Sequence, residues 1–175
     1  MKKQIIRWTL YLIWALVLYA VQSALGSRIE IMGIRPDLMP FLVCACGALE
    51  GKKKGAWFGF FIGLLCDAFH PISTGFFPAL YFICAYGTGL LTERHVDTNI
   101  VTVGLFGLFA SILGNFFQYV IFYMIFDRVP VTDMLFITGV EAAYSLVLSA
   151  AAYLPPKLIA HLTRDGRGTY RKLRY

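Results

Sequence analysis

Apolar residues run in long blocks along this chain, and the charged residues are gathered into the short stretches between the blocks. Windows without Asp, Glu, Lys or Arg cover residues 8–27, 68–92 and 98–126, which are 20, 25 and 29 residues long. Apolar windows of about 20 residues are typical of helices that cross a bilayer. Because a span must satisfy its own backbone hydrogen bonds, and the alternation of a barrel strand is absent, each block is predicted to be helical. We therefore predict an all-α polytopic membrane protein, a six-helix transmembrane bundle.

The six predicted spans form one transmembrane domain over residues 1–154. They cover residues 8–25, 34–50, 55–70, 76–91, 100–126 and 134–154. Only 12 residues separate Asp37 from Glu50, so the second span is short for a hydrocarbon core about 30 Å thick. Pro155 and Pro156 are expected to end the last span, which leaves residues 155–175 as a basic cytoplasmic tail. Small residues at 23–26 resemble a signal-peptidase site, but the preceding apolar run is longer than a secretory core, which favours an uncleaved span.

The composition agrees with a membrane protein and excludes several other classes. Hydrophobic residues make up 58% of the 175 residues, charged residues only 15%, and the mean hydropathy is +0.67. These values argue against a soluble domain, a disordered chain and a coiled coil. The net charge of +6 lies in tails and short loops, with 13 Lys and Arg on one predicted face and 3 on the other. That asymmetry predicts cytoplasmic termini and makes nucleic acid an unlikely partner.

A ladder of glycines marks the third span. Gly55, Gly59 and Gly63 recur every four residues, so they share one helix face and permit a close approach of a second backbone. The surface they form is either a packing site between helices of the same chain, which we favour, or a dimer interface.

Three polar residues in the last two spans are predicted to lie in the outer half of the membrane. Gln118 in the fifth span and Glu141 in the sixth are predicted to lie at the same depth, and Asn115 lies one turn deeper on the same face as Gln118. A carboxyl group at such depth is costly unless it is paired, protonated or facing water. One interpretation is a protonated Glu141 that forms a structural hydrogen bond with Gln118. The other is an outward-facing polar cavity that accepts a ligand or a partner helix.

The sequence offers little sign of catalytic or metal chemistry. The four cysteines lie inside apolar segments, without the spacing of zinc ligands. The histidines lie in loops and in the tail, and no nucleophile is paired with a base at a recognisable spacing. We expect no enzymatic activity and no metal or cofactor, and we treat an intramembrane enzyme as the weakest of the functional hypotheses.

Two stretches resemble a known family. Arg35-Pro36-Asp37-Leu38 opens the second span, and the segment from Gly55 to Leu91 contains repeated glycines, GLLCD, a turn with Gly75 and a closing YGTGLL. This pattern is similar to that of the MreD-type rod-shape-determining membrane proteins of bacteria. The motif residues of the resemblance are Pro36, Asp37, Asp67 and Gly75.

The resemblance implies a non-enzymatic scaffold of the cell-wall elongation complex in the bacterial cytoplasmic membrane. Its partners would be a single-span MreC-type protein and, in a larger complex, MreB-type actin and peptidoglycan polymerases. It also implies a fold similar to the substrate-binding subunits of energy-coupling-factor transporters. The alternative function is therefore a vitamin-binding subunit of such a transporter, which the short second and third spans and the polar outer cavity also favour.

Overall fold

The computed structural model describes residues 2–29, 34, 36–69, 75–94, 99–126 and 131–163. Within these ranges the chain forms six α-helices, which confirms the all-α prediction. They are α1 (Lys2–Ile29), α2 (Met39–Glu50), α3 (Lys52–Phe69), α4 (Phe76–Arg94), α5 (Ile100–Phe126) and α6 (Val131–Thr163). Three helices, α1, α5 and α6, are long and apolar enough to span a membrane, with candidate spans Gln4–Ala24, Ile100–Val120 and Leu135–Thr163. The molecule is therefore a membrane-associated helical protein.

The short helix α2 lies at the centre of the fold. Nine of its 12 residues are buried, and it contacts α1, α3, α4, α5 and α6. Phe41 and Leu42 are fully enclosed in a core to which Tyr11 of α1 and Tyr81 of α4 also contribute. This burial explains why the helix is apolar from Met39 to Leu49, since it meets other helices on almost every side.

Helices α2 and α3 are joined by a single residue, Gly51. Its φ of 86° lies in the region that side chains disfavour, and its N–H donates to the Gly47 carbonyl at 3.0 Å. The chain reverses here without a loop. The two helices therefore form a tight hairpin, against which α4 packs.

Several helix ends differ from the predicted spans. Helix α1 begins at Lys2 rather than residue 8, and α2 begins at Met39 rather than residue 34. Hydropathy marks only the apolar centre of a helix, whereas the ends depend on backbone hydrogen bonds. The predicted stop at Pro155 and Pro156 is wrong, because α6 continues through both prolines to Thr163. Pro156 is fully buried, and its carbonyl lies 3.4 Å from the Tyr11 hydroxyl, so packing against α1 stabilises this part of the helix.

Candidate functional site

The segment that precedes α2 is anchored by hydrogen bonds to two other helices. The Asp37 carboxylate accepts hydrogen bonds from the Met39 N–H at 3.0 Å and from Gln22 Nε2 at 3.3 Å. Gln22 in turn accepts from the Leu38 N–H at 3.2 Å, and the Asp37 N–H donates to Ser145 Oγ at 3.0 Å. The Asp37 side chain thus accepts the first backbone N–H of α2, and the Asp37 contacts tie the start of this helix to α1 and α6.

Glu141 of α6 is paired with α5, but through a different residue from the one predicted. Asn115 Nδ2 donates to Glu141 Oε2 at 2.9 Å, whereas Gln118 was the expected partner. The helix ends explain the change. Glu141 lies ten residues from the start of α6 at Val131, and the residue at matching depth on α5, which ends at Phe126, is closer to Asn115 than to Gln118.

A cavity of about 340 Å³ lies between the helices at this level. All six helices contribute to its walls, and Pro36 and Asp37 contribute from the segment before α2. The structure brings together in it Asn115, Gln118 and Glu141, the three residues of the predicted polar cavity. The polar and phenolic side chains that line the cavity are Tyr19, Gln22, Asp37, Tyr81, Ser111, Asn115, Gln118 and Glu141.

Ser111 is the lining residue whose hydrogen-bonding capacity is unused. Its side chain is only 3% exposed, and its hydroxyl oxygen has no hydrogen-bond partner among the described residues. A buried polar atom without a partner is uncommon in folded proteins and calls for a physical explanation. Ser111 was not among the residues predicted from the sequence, although it lies four residues before Asn115 and therefore on the same face of α5.

Asp67 and Gly75 of the motif lie apart from the lining of this cavity. Asp67 is 5% exposed and its Oδ2 accepts a hydrogen bond from the Gly75 N–H at 3.0 Å. Gly75 has a φ of 69°, which an L-residue adopts only with strain. The contact ties the end of α3 to the start of α4. Arg35, the other charged residue of the motif, lies outside the described residues, as does residue 70, where the third predicted span ended.

The three glycines of α3 pack against neighbouring helices of the same chain. A Cβ atom added at Gly63 would lie 2.5 Å from Cα of Pro78 in α4, and one at Gly59 would lie 2.5 Å from the Tyr81 carbonyl oxygen. A Cβ atom at Gly55 would collide with the backbone of Gly47 in α2. The glycine ladder therefore lets α2, α3 and α4 approach backbone to backbone.

A second polar cluster joins α1 to the end of α2. Arg7 Nη1 lies 3.1 Å from Glu50 Oε1, and the Tyr11 hydroxyl donates to the same oxygen at 2.9 Å. The Glu50 side chain is only 4% exposed, so this ion pair is sheltered from solvent. By contrast, the Lys52–Glu93 pair, with 3.2 Å between Nζ and Oε2, is 30% and 42% exposed. Shielding makes the Glu50 pair the more costly of the two to break.

The functional groups of the site are those of a binding cavity with two acidic side chains. Asp37 and Glu141 supply carboxyl groups, and among the described residues that line the cavity there is no Lys, Arg or His. Hydrogen-bonding side chains lie beside apolar walls, a combination typical of small-molecule sites.

Comparison with known proteins supplies no relative: no protein-family model matches the chain, and no curated protein or solved structure is significantly similar to it.

Proposed function

We propose that this chain is a non-enzymatic scaffold of MreD type, a multi-pass protein of the bacterial cytoplasmic membrane. It would bind a single-span MreC-type protein and help to recruit the peptidoglycan synthesis machinery and MreB-type actin, and so maintain rod shape. The proposal takes its biological setting from the sequence resemblance, and the physical properties of the folded chain are compatible with it.

The observation that carries the proposal is that motif residues hold backbone segments in place. Asp37 accepts the first backbone N–H of α2, Asp67 accepts the Gly75 N–H, and the glycines bring α2, α3 and α4 into close contact. Asp37, Asp67 and Gly75 therefore each have a role in holding the backbone in place. A segment with these contacts suits a rigid platform, because its motif residues fix the positions of α2, α3 and α4 relative to one another.

The outer surfaces of the long helices also support a role in helix assembly. Leu12 of α1, Leu105 of α5 and Val147 of α6 are 46%, 62% and 77% exposed. Apolar side chains on such faces are compatible with lipid or with the span of a partner. The excess of 13 cationic residues over 3 favours six spans with both termini in the cytoplasm. In this arrangement α2 and α3 would complete their crossing only as a packed unit.

Crosslinking in native membranes tests the proposed partner directly. A tagged full-length chain is crosslinked in the cells that produce it, purified and analysed by mass spectrometry. We expect a single-span membrane protein as the main product, and rounding of the cells when the chain is depleted. Cells that keep their rod form on depletion and yield no bitopic partner would contradict the scaffold function.

Matched glycine variants give this assay an internal control. Gly59→Leu should fail to restore rod shape because the added side chain separates α3 from α4, whereas Gly87→Leu adds a side chain where nothing lies within 4 Å of the new Cβ atom. We expect Gly87→Leu to restore shape if this face contacts lipid. Comparable loss with both variants, at normal abundance, would count against the packing argument.

The second candidate function is the binding subunit of an energy-coupling-factor type transporter. The specific observation in its favour is the cavity of about 340 Å³, which lies within the size range of small-molecule sites. Such a subunit should retain its vitamin through purification. If native mass spectrometry detects no retained vitamin, and no vitamin raises the melting temperature, this candidate fails.

A further inference from the structure

An exposed group of aromatic side chains joins α3 to α4. Trp57 of α3 is 58% exposed, and its ring centroid lies 6.0 Å from that of Phe82 in α4. Phe82 stacks on Tyr86, with 6.5 Å between the centroids and 6° between the planes. We call this surface the aromatic face; its exposed members are Trp57, Phe61, Leu64, Ile83 and Tyr86. Apolar side chains that are contiguous in this way mark a surface that contacts another molecule or a membrane.

Two cationic side chains border the aromatic face. Lys53 and Lys54 lie four and three residues before Trp57, which places them one helical turn away on the same side of α3. Both are exposed. The neighbouring Lys52 is paired with Glu93, with 3.2 Å between Nζ and Oε2. Lys53 and Lys54 form no ion pair with any residue that the structure describes, so their charge is available to an external anion.

The dimensions of the aromatic face match one leaflet of a bilayer. Leu64 follows Lys54 by ten residues, which corresponds to about 15 Å along the axis of α3. One leaflet contributes half of a hydrocarbon core about 30 Å thick, which is also about 15 Å. Trp57 lies nearest to the lysines, and tryptophan rings favour the boundary between headgroups and acyl chains. A lipid with its phosphate beside Lys54 would therefore extend its chains along Trp57, Phe61 and Leu64.

We propose that the aromatic face, together with Lys53 and Lys54, binds a phospholipid with an anionic headgroup in preference to a zwitterionic one. The two ammonium groups pair with the headgroup, and Trp57 and Phe61 contact an acyl chain. A partner span would have to place acidic side chains beside both lysines, whereas an anionic lipid supplies the charge and the hydrocarbon in one molecule. The scaffold function requires no selective lipid, so either conclusion can fail without the other.

Quenching of Trp57 fluorescence by brominated lipid tests the proposal. The chain contains three tryptophans, and Trp8→Phe with Trp14→Phe leaves Trp57 as the only one. The full-length protein is placed in nanodiscs with a fixed ratio of phosphatidylglycerol to phosphatidylcholine. Bromine is carried either by the chains of phosphatidylglycerol or by those of an equal number of phosphatidylcholine molecules. Because bromine quenches on contact, the two preparations report which lipid lies against Trp57.

We expect brominated phosphatidylglycerol to quench more strongly than brominated phosphatidylcholine. The relative association constant should favour phosphatidylglycerol by about fivefold or more, which is roughly the effect of one lysine at an anionic lipid surface. Equal quenching by the two lipids would overturn the charge preference. Weak quenching by both would show that a second copy or a partner span covers Trp57, and would overturn the proposal as well.

Substitutions of the lysines assign the preference to this surface. Lys53→Gln combined with Lys54→Gln should abolish the preference while leaving the quenching by brominated phosphatidylcholine in place. The corresponding double substitution by arginine should retain the preference, because it keeps both charges. A preference that survives the double glutamine variant would come from the overall charge of +6 and would refute the proposed site.

A matched pair of single variants controls for charge elsewhere on the protein. Lys54→Gln and Lys157→Gln each remove one exposed cation, but Lys157 lies on α6, which packs against α1, α2 and α5. Lys54→Gln should lower the preference severalfold, whereas Lys157→Gln should leave it nearly unchanged. Equal effects of the two variants would contradict a localised site.

Two further measurements keep the test decisive. The difference in quenching between the wild type and Trp57→Phe isolates the Trp57 signal if replacement of Trp8 and Trp14 unfolds the protein. Raising the salt concentration should weaken the preference for phosphatidylglycerol, because exposed charges are screened by ions. A preference that is independent of salt would show that Lys53 and Lys54 do not pair with the headgroup.

Discussion

Replacing Gly59 by alanine measures how closely α3 must approach α4. The new Cβ atom would lie 2.5 Å from the Tyr81 carbonyl oxygen, 2.9 Å from its carbonyl carbon and 3.0 Å from Val43 Cγ1. Ordinary contacts begin at 3.4 Å, so the two backbones would have to separate by roughly 1 Å. Because the obstructing atoms belong mainly to the backbone of α4, a change of rotamer cannot relieve the clash.

The matched variant Gly87→Ala isolates this steric cost. Both glycines lie inside helices, so both variants gain the same helix propensity, about 0.5–1 kcal/mol. At Gly87 nothing lies within 4 Å of the new Cβ atom, whereas overpacking at Gly59 costs about 1–3 kcal/mol. The difference between the two variants should therefore be about 1–3 kcal/mol, or about 2–12 °C in Tm for a domain of this size.

Thermal unfolding followed with a thiol-reactive fluorescent dye suits this comparison. Cys44, Cys46 and Cys66 are buried, so their reaction with the dye reports loss of the fold. Gly59→Ala should unfold at a lower temperature than Gly87→Ala, and Gly59→Leu should lower the yield of folded protein further. Equal melting temperatures for the two alanine variants would refute the close approach of α3 and α4.

Three further predictions follow from buried contacts and can be checked in the same detergent preparation. Glu50→Gln should lower the free energy of unfolding by about 3 kcal/mol, because it removes the charged partner of the sheltered Arg7 guanidinium. Glu93→Gln, which alters an exposed pair, should cost less than about 1 kcal/mol. Similar melting temperatures for the two variants would contradict this difference. Gly75→Ala should lower the free energy of unfolding by about 1 kcal/mol, because the residue has a positive φ, although nothing lies within 4 Å of the new Cβ atom. Gly75→Asn should recover part of this lost stability. An alanine variant as stable as the wild type would show that the turn relaxes. Among the four cysteines, the half-buried Cys84 should react first with N-ethylmaleimide in the folded protein, as read by peptide mass spectrometry, and early labelling of the others would contradict the packing of α2 and α3.

The periodicity and length of the apolar blocks were sufficient to predict helices. The depth argument placed Glu141 at the level of Gln118, with Asn115 one turn deeper. It did not identify the pair that forms. Counting residues from Asp127 and Asp133, which bound the predicted loop between the last two spans, selected Gln118 as the partner of Glu141. The hydrogen bond is made instead by Asn115, about one turn away. Helix ends shift depth by about 1.5 Å per residue, so an error of two or three residues exchanges one turn for the next.

The prolines of α6 illustrate a second limit of sequence reasoning. A pair such as Pro155 and Pro156 normally ends a helix because two backbone donors are missing. Here the helix continues while Pro156 is enclosed against Tyr11, a residue 145 positions earlier in the chain. Such distant packing carries no local signal. The same reason applies to Ser111, whose lack of a hydrogen-bond partner among the described residues can be seen only when the neighbouring helices are in place.

The shortness of α2 constrains how the protein can be made. Twelve residues extend about 18 Å along the helix axis, well below the thickness of a hydrocarbon core of about 30 Å. During synthesis this segment is too short to be retained in the bilayer by its own hydrophobicity. Gly51 is the single residue that connects it to α3. In the proposed six-span topology, the integration of α2 would therefore await the emergence of α3 from the ribosome, so that the two helices enter the membrane together as a hairpin. Nascent chains halted shortly after Glu50 should leave α2 accessible to water-soluble reagents, whereas chains halted beyond α4 should protect it.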